Sequence, residues 1–230
     1  MVRALFFSLL FFFAQFAVAQ IDEDDLGAWY MYIWNTQLND SNFGFQGDVQ
    51  YRNFDILGDL EQLLLRGGVT ISPKDSPAKF TLGYANITTG TFGDDDTTSG
   101  ESRIYQEALL PHKLSDRFRL THRFRYEQRF VEDQDFRTRY RYALFLTIPF
   151  NQEATLNKGD WYLAAYDELF INGQRDIADN RTVELFDRNR LYSALGYVLS
   201  PSVKLQAGFM EQSTDNISKG QLQFNVIHSF

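Results

Sequence analysis

The sequence predicts an all-β fold, an antiparallel transmembrane β-barrel. Three observations lead there. Apolar and polar residues alternate with period two along most of the chain, and the alternating segments mostly run about ten residues or more, enough to cross a bilayer. Their polar face carries arginine and glutamate, while their apolar face is rich in aromatic side chains. The 230 residues include 22 Phe, 12 Tyr and 3 Trp, with no cysteine and a formal net charge of −8.

The first segment stands apart from the rest. "MVRALFFSLLFFFAQFAVAQ" has a positive start at Arg3, an apolar run from Ala4 to Phe13, and small residues at Ala17 and Ala19. That is the layout of a cleaved signal peptide, residues 1–19, followed by a single domain over 20–230. The apolar run is too short for a membrane anchor, and the acidic stretch Asp22–Asp25 follows where an anchor would have basic residues. An exported chain without disulfides must stabilise itself through a substantial sheet.

The segment "RFRLTHRFRYEQRF", Arg117 to Phe130, decides the period. Wound as a helix, its arginines spread around the cylinder and leave no apolar stripe. Read as a strand, it places Phe118, Leu120, Phe124, Tyr126 and Phe130 on one face, and Arg117, Arg119, Arg123, Arg125, Glu127 and Arg129 on the other. After the turn "VEDQD", the segment "FRTRYRYALFLTI" repeats the pattern with Arg137, Arg139 and Arg141. Pairing the two strands across that turn sets Arg129 against Arg137, Glu127 against Arg139 and Arg125 against Arg141. Five alternating segments precede this pair: "LGAWYMYIW", "FGFQGDVQYR", "LEQLLLRGGVTI", "AKFTLGYANI" and "ESRIYQEALL". Four follow it: "WYLAAYDELFIN", "VELFDRNRLYSALGYVL", "VKLQAGFMEQ" and "QLQFNVIHSF". Turn-rich links separate them and alternate loosely between short and longer, as periplasmic turns and extracellular loops do. The segments number eleven. Bacterial single-chain barrels have even counts, so the expectation is twelve strands, with ten as the alternative. The miscounted element is expected in the N-terminal segment or between Ile171 and Leu199.

The blocks "RFRYEQRF", "RTRYRYAL", "DELFIN" and "RNRLYSALGY" resemble those of the bacterial family called domain of unknown function 2490. The resemblance covers most of the mature chain and is strongest from about Glu101 onward. It implies an exported, strand-rich chain considered an outer-membrane barrel, with no assigned activity. By this likeness Arg125, Glu127, Arg129, Arg139, Arg141, Glu168, Asn189 and Arg190 occupy characteristic polar positions. The last segment also resembles the C-terminal assembly signal of outer-membrane proteins, with Phe224, Val226, His228 and Phe230 on one face and His228 where tyrosine is commoner.

With the aromatics toward lipid, the arginines face the lumen; an arginine on the lipid face costs about 2–4 kcal/mol near the midplane. The expected polar network comprises Arg103, Glu107, Arg117, Arg119, Arg123, Arg125, Glu127, Arg129, Arg137, Arg139, Arg141, Glu168 and Arg190. Trial registers set Glu107 beside Arg119 and Glu168 beside Arg141. Arg117, Arg123, Arg125, Arg129 and Arg137 have no evident partner within their own hairpin. Two readings stay open: a packed Arg–Glu core, or a permeation path whose basic wall favours anions.

Other chemistry finds little footing. A Ser–His hydrolase needs a histidine beside a serine. His122 lies on the apolar face, His112 sits beside Pro111, and His228 is near the chain end. The acidic runs Asp22–Asp25 and Asp94–Asp96 lack the spacing of a calcium loop, so no metal and no cofactor is expected. Nucleic acid is excluded because period two turns the arginines inward. The expected protein is a non-enzymatic barrel of a Gram-negative outer membrane. Its expected partners are membrane lipid, lipopolysaccharide and, through the last strand, the barrel-assembly machinery.

Overall fold

The computed structural model describes residues 26–230 apart from 116 and 152–154. The expected signal peptide and the Asp22–Asp25 run lie outside the described residues. Eleven strands follow in chain order: β1 (Gly27–Gln37), β2 (Phe43–Asn53), β3 (Leu60–Ile71), β4 (Lys79–Gly90), β5 (Thr98–Lys113), β6 (Arg119–Val131), β7 (Arg137–Pro149), β8 (Trp161–Asn172), β9 (Phe186–Val198), β10 (Val203–Ser213) and β11 (Ser218–Ser229). Each pairs antiparallel with its neighbours in the chain, and β1 and β11 close the barrel as a parallel pair, from Gly27 opposite Gln221 to Asn35 opposite Ser229.

The count corrects the expectation of twelve or ten strands. The eleven alternating segments are eleven strands. The stretch 171–199 holds the end of β8, a link with one isolated bridge between Asp176 and Thr182, and β9. Strands of a meander alternate in direction, so an odd number leaves the first and last running the same way. A parallel ladder satisfies their backbone groups with evenly spaced, slanted bonds, so no strand is left as an edge strand.

The links also depart from expectation. One rim carries 54–59, 91–97, 132–136, 173–185 and 214–217; the other carries 38–42, 72–78, 114–118, 150–160 and 199–202. Each rim thus has one long link and four short ones, with no division into a short-turn and a long-loop end.

Period two sorts the side chains as a closed barrel requires. Outward positions such as Leu82, Tyr84, Tyr140, Leu191 and Phe209 are exposed, while Glu127, Arg139, Gln221 and Gln223 are buried inside. Aromatics are not confined to the outer face, however. Trp29, Tyr162, Tyr192 and Met210 form an interior apolar cluster with Ala164, Ala194 and Val198, and Tyr105 and Phe170 are buried too. The barrel therefore has an aromatic sector formed by β1, β8, β9 and β10, beside a charged sector centred on β5 to β8.

Two inward tyrosines lie across glycines on the adjacent strand. Tyr105 is directly opposite Gly83, and Tyr162 directly opposite Gly196. A Cβ built on either glycine would overlap the facing ring. The missing side chain lets the ring lie flat over the neighbouring backbone. Gly196→Val and Gly83→Val should each lower stability by about 1–3 kcal/mol through overpacking, read as the denaturant midpoint of the purified protein. Gly67→Ala is the control, because a Cβ there meets nothing within 4 Å; its midpoint should not fall.

Candidate functional site

The charged interior begins with β6 and β7. Their outward rings pair across the strands, Phe124 with Tyr142 at 5.1 Å, Tyr126 with Tyr140 at 5.2 Å and Phe130 with Phe136 at 5.3 Å between centroids. This holds the opposite parity inside, in the register read from the sequence: Arg129 opposite Arg137, Glu127 opposite Arg139 and Arg125 opposite Arg141.

Two other registers need correcting. Glu107 faces Arg125 rather than Arg119, because β5 continues through Pro111 to Lys113 and the turn falls at 114–118. Beyond Leu109 the β4 side of β5 is unpaired, and an edge is where a strand accommodates proline. The same displacement moves Arg117 out of the lumen into the exposed turn before β6. Glu168 lies opposite Ala143, two residues from the expected Arg141. Its carboxylate nevertheless accepts from Arg141 Nε at 2.7 Å and from Arg123 Nη2 at 2.5 Å, bridging diagonally over two strands.

Glu127 is the hub. Its Oε2 accepts from Arg139 Nε and Nη2 at 2.9 and 2.7 Å, and its Oε1 from Arg141 Nη1 at 2.6 Å. Arg103 and Arg125 each approach to 3.8 Å. Glu101 receives forked pairs of bonds from both Arg103 and Arg129. Glu107 accepts from Arg125 and from Gln46 Nε2 at 2.9 Å. Planar guanidinium forks suit such two-point recognition. Thus Arg123, Arg125 and Arg129, expected to lack partners within their own hairpin, make their hydrogen bonds to carboxylates on β5 and β8. Arg137 does not: it is 7% exposed, its Nε is buried without an acceptor, and no described carboxylate pairs with it. Arg119 is half-buried at the far end of β6, with Nη2 also unsatisfied.

Several interior residues escaped the sequence reading. Arg66 Nε donates to both oxygens of Asp48, at 3.0 and 2.9 Å, and Arg52 donates to Gln50 and Gln62. A signal was present, since Asp48, Gln50 and Arg52 share one parity of β2. Asp187, which accepts from Arg139 Nη1 at 2.7 Å, was hidden by a register shift between Phe170 and Ile171 that breaks the alternation. Inward aromatics complete the site. Arg52 lies 3.7 Å over the Trp29 ring, and Arg141 and Arg190 lie 4.3 and 4.7 Å over Phe170. These contacts stabilise guanidinium charge where carboxylates are absent. Among the described residues no carboxylate pairs with Arg52 or Arg190; Arg190 Nε donates to Gln212 at 2.8 Å.

Among the described residues, two cavities in the interior concern the charged network. One of about 390 Å³ is bordered by Lys79, Tyr105, Arg123, Arg125 and Phe145 among others. A second, of about 50 Å³, is bordered almost wholly by arginine. Arg52, Arg66, Arg141 and Arg190 line both and stand between them.

The residues of the expected assembly signal are on the outer wall. Phe224 and Val226 are exposed, and Phe224 stacks on Tyr30 at 5.5 Å. His228 Nδ1 is 2.9 Å from Tyr32 Oη, and exposed Phe230 donates its N–H to Asn35 O. His122 Nδ1 meets Tyr142 Oη at 2.9 Å and its ring stacks on His112, both outside the lumen.

A family model described as "Protein of unknown function (DUF2490)" matches residues 26–223. No curated protein and no solved structure matches the chain.

Removing the hub carboxylate while leaving its arginines should be severe. Glu127→Gln is expected to cost about 3–5 kcal/mol, the range for breaking a buried ion pair, read from the urea midpoint. Glu184→Gln, at the exposed Arg175–Glu184 pair (3.2 Å), should change it by about 0–1 kcal/mol.

Proposed function

The chain belongs to the DUF2490 family of proteins of unknown function, and from that premise we propose that it is an integral outer-membrane β-barrel, non-enzymatic, whose arginine–glutamate interior serves mainly as a structural core. The observation that carries this reading is the inversion of polarity: apolar side chains on the outer face of the wall and charge within it. The largest apolar patch on an ordinary soluble monomer is about 300–600 Å², whereas here exposed Leu, Phe, Tyr and Val recur on every strand. Strands of 11 to 16 residues meet or exceed the roughly 9–11 needed to cross a bilayer. The closed ladder leaves no edge to satisfy, as a lipid-facing wall demands. On this reading residues 1–19 export the chain, membrane lipid and lipopolysaccharide surround its wall, and the outward face of β11 engages the assembly machinery.

The packed state of the lumen supports a core over a pore. Glu101, Glu107, Glu127 and Glu168 are all buried and each takes arginine. The second reading, a small anion-favouring channel, draws on the 390 Å³ cavity and its basic lining.

The mature chain should require detergent to stay dispersed and should migrate differently on gels before and after heating. A chain that stays soluble without detergent and shows no such shift would remove the membrane reading. In planar bilayers the core reading expects no discrete current steps from the pure refolded protein. Reproducible anion-selective steps would establish the channel instead.

A further inference from the structure

The 50 Å³ chamber has a lining of unusual chemistry. Eight arginines border it, together with Gln62, Leu64 and Phe170, and no carboxylate does. The carboxylates that pair with Arg66, Arg103, Arg129, Arg139 and Arg141 stand outside this lining. Arg52 and Arg190, 4% and 6% exposed, form no ion pair within 4 Å among the described residues; Glu168, directly opposite Arg190 on β8, is already taken by Arg123 and Arg141. Arg188 keeps a buried Nε with no acceptor. Buried cations without counter-charge are costly, and neighbouring glutamines and aromatic faces offset only part of that cost. Water in the chamber would supply acceptors but no charge.

We propose that this chamber binds one compact divalent oxyanion of the phosphate or sulfate class. About 10–15 Å³ of such space holds a water molecule, so the chamber has room for a single tetrahedral anion. Two unpaired guanidiniums match its charge, and their forks match its oxygens in pairs. The surrounding wall excludes a lipid headgroup, so the anion is a free one. It reaches the chamber through the larger cavity, past Arg52, Arg66, Arg141 and Arg190. The inference rests on interior geometry alone and stands apart from the membrane location and from conductance.

Equilibrium dialysis of radiolabelled inorganic phosphate against the folded, full mature chain tests it at constant chloride. Saturable binding of about one phosphate per chain is expected, displaced by sulfate and not by added chloride at matched ionic strength. Arg190→Gln and, separately, Arg52→Gln should each weaken binding about tenfold or more, as loss of charged hydrogen bonds implies. Arg117→Gln, in the exposed turn, should leave it unchanged. Absence of saturable binding by wild-type protein with an intact strand-type circular dichroism spectrum overturns the proposal, whatever the variants do. So does displacement by chloride as effective as by sulfate. Loss of binding in Arg123→Gln, which borders only the larger cavity, with retention in Arg188→Gln, which borders only the chamber, would transfer the site to the larger cavity and equally overturn it.

Discussion

Glu127 lies almost fully buried in the middle of the barrel wall, accepting from Arg139 and Arg141 with Arg103 and Arg125 close by. These four arginines come from three strands, β5, β6 and β7. One carboxylate thereby ties together a region where like charges would otherwise repel at close range. Glu101, Glu107 and Glu168 repeat the device on neighbouring strands, each bridging two arginines. Because an arginine directed outward would meet the apolar face, and an unpaired one inward would be desolvated, the positions of these carboxylates determine which strand registers are tolerable.

Closure imposes a second constraint. With an odd number of strands the barrel must contain one parallel pair, and the β1–β11 junction supplies it. That seam is reinforced on the outside by Tyr30 on Phe224 and Tyr32 on His228. Inside, Gln221 and Gln223 are fully buried next to Trp29 and Tyr166. Neither seam strand carries an arginine, so the slightly weaker parallel ladder holds none of the Arg–Glu pairs, although Trp29 on β1 lies under Arg52 and Arg190.

The two interior sectors meet at Trp29 and Phe170. Rings packed by the aromatic sector offer their faces to Arg52, Arg139, Arg141 and Arg190. Aromatic faces bind cations without neutralising them. The positive charge left over on Arg52 and Arg190 is the physical origin of the basic chamber between the sectors.

Strand content, the eleven alternating segments and the division of the charged strands into an apolar and a polar face were legible in the chain itself. "RFRYEQRF" and "RTRYRYAL" alternate with one outward polar exception each, Gln128 and Thr138, which face each other, so even the β6–β7 register could be read across their short turn. The eleven segments are visible too; an even count is needed only where the closing pair is antiparallel, and the parallel β1–β11 ladder removes that need. Tertiary structure alone decided the rest. Pro111 resembles a turn residue in isolation, yet the unpaired edge beside it lets β5 run on and reassigns Glu107 to Arg125. The bulge after Phe170 changes the parity that brings Asp187 inward. Trp29, Tyr162 and Phe170 have the same local alternation as lipid-facing aromatics, and only the closure of the sheet determines which parity is inside. Long arginine side chains then reach diagonally across two strands, so their partners depend on barrel curvature and tilt, quantities that no local sequence pattern encodes.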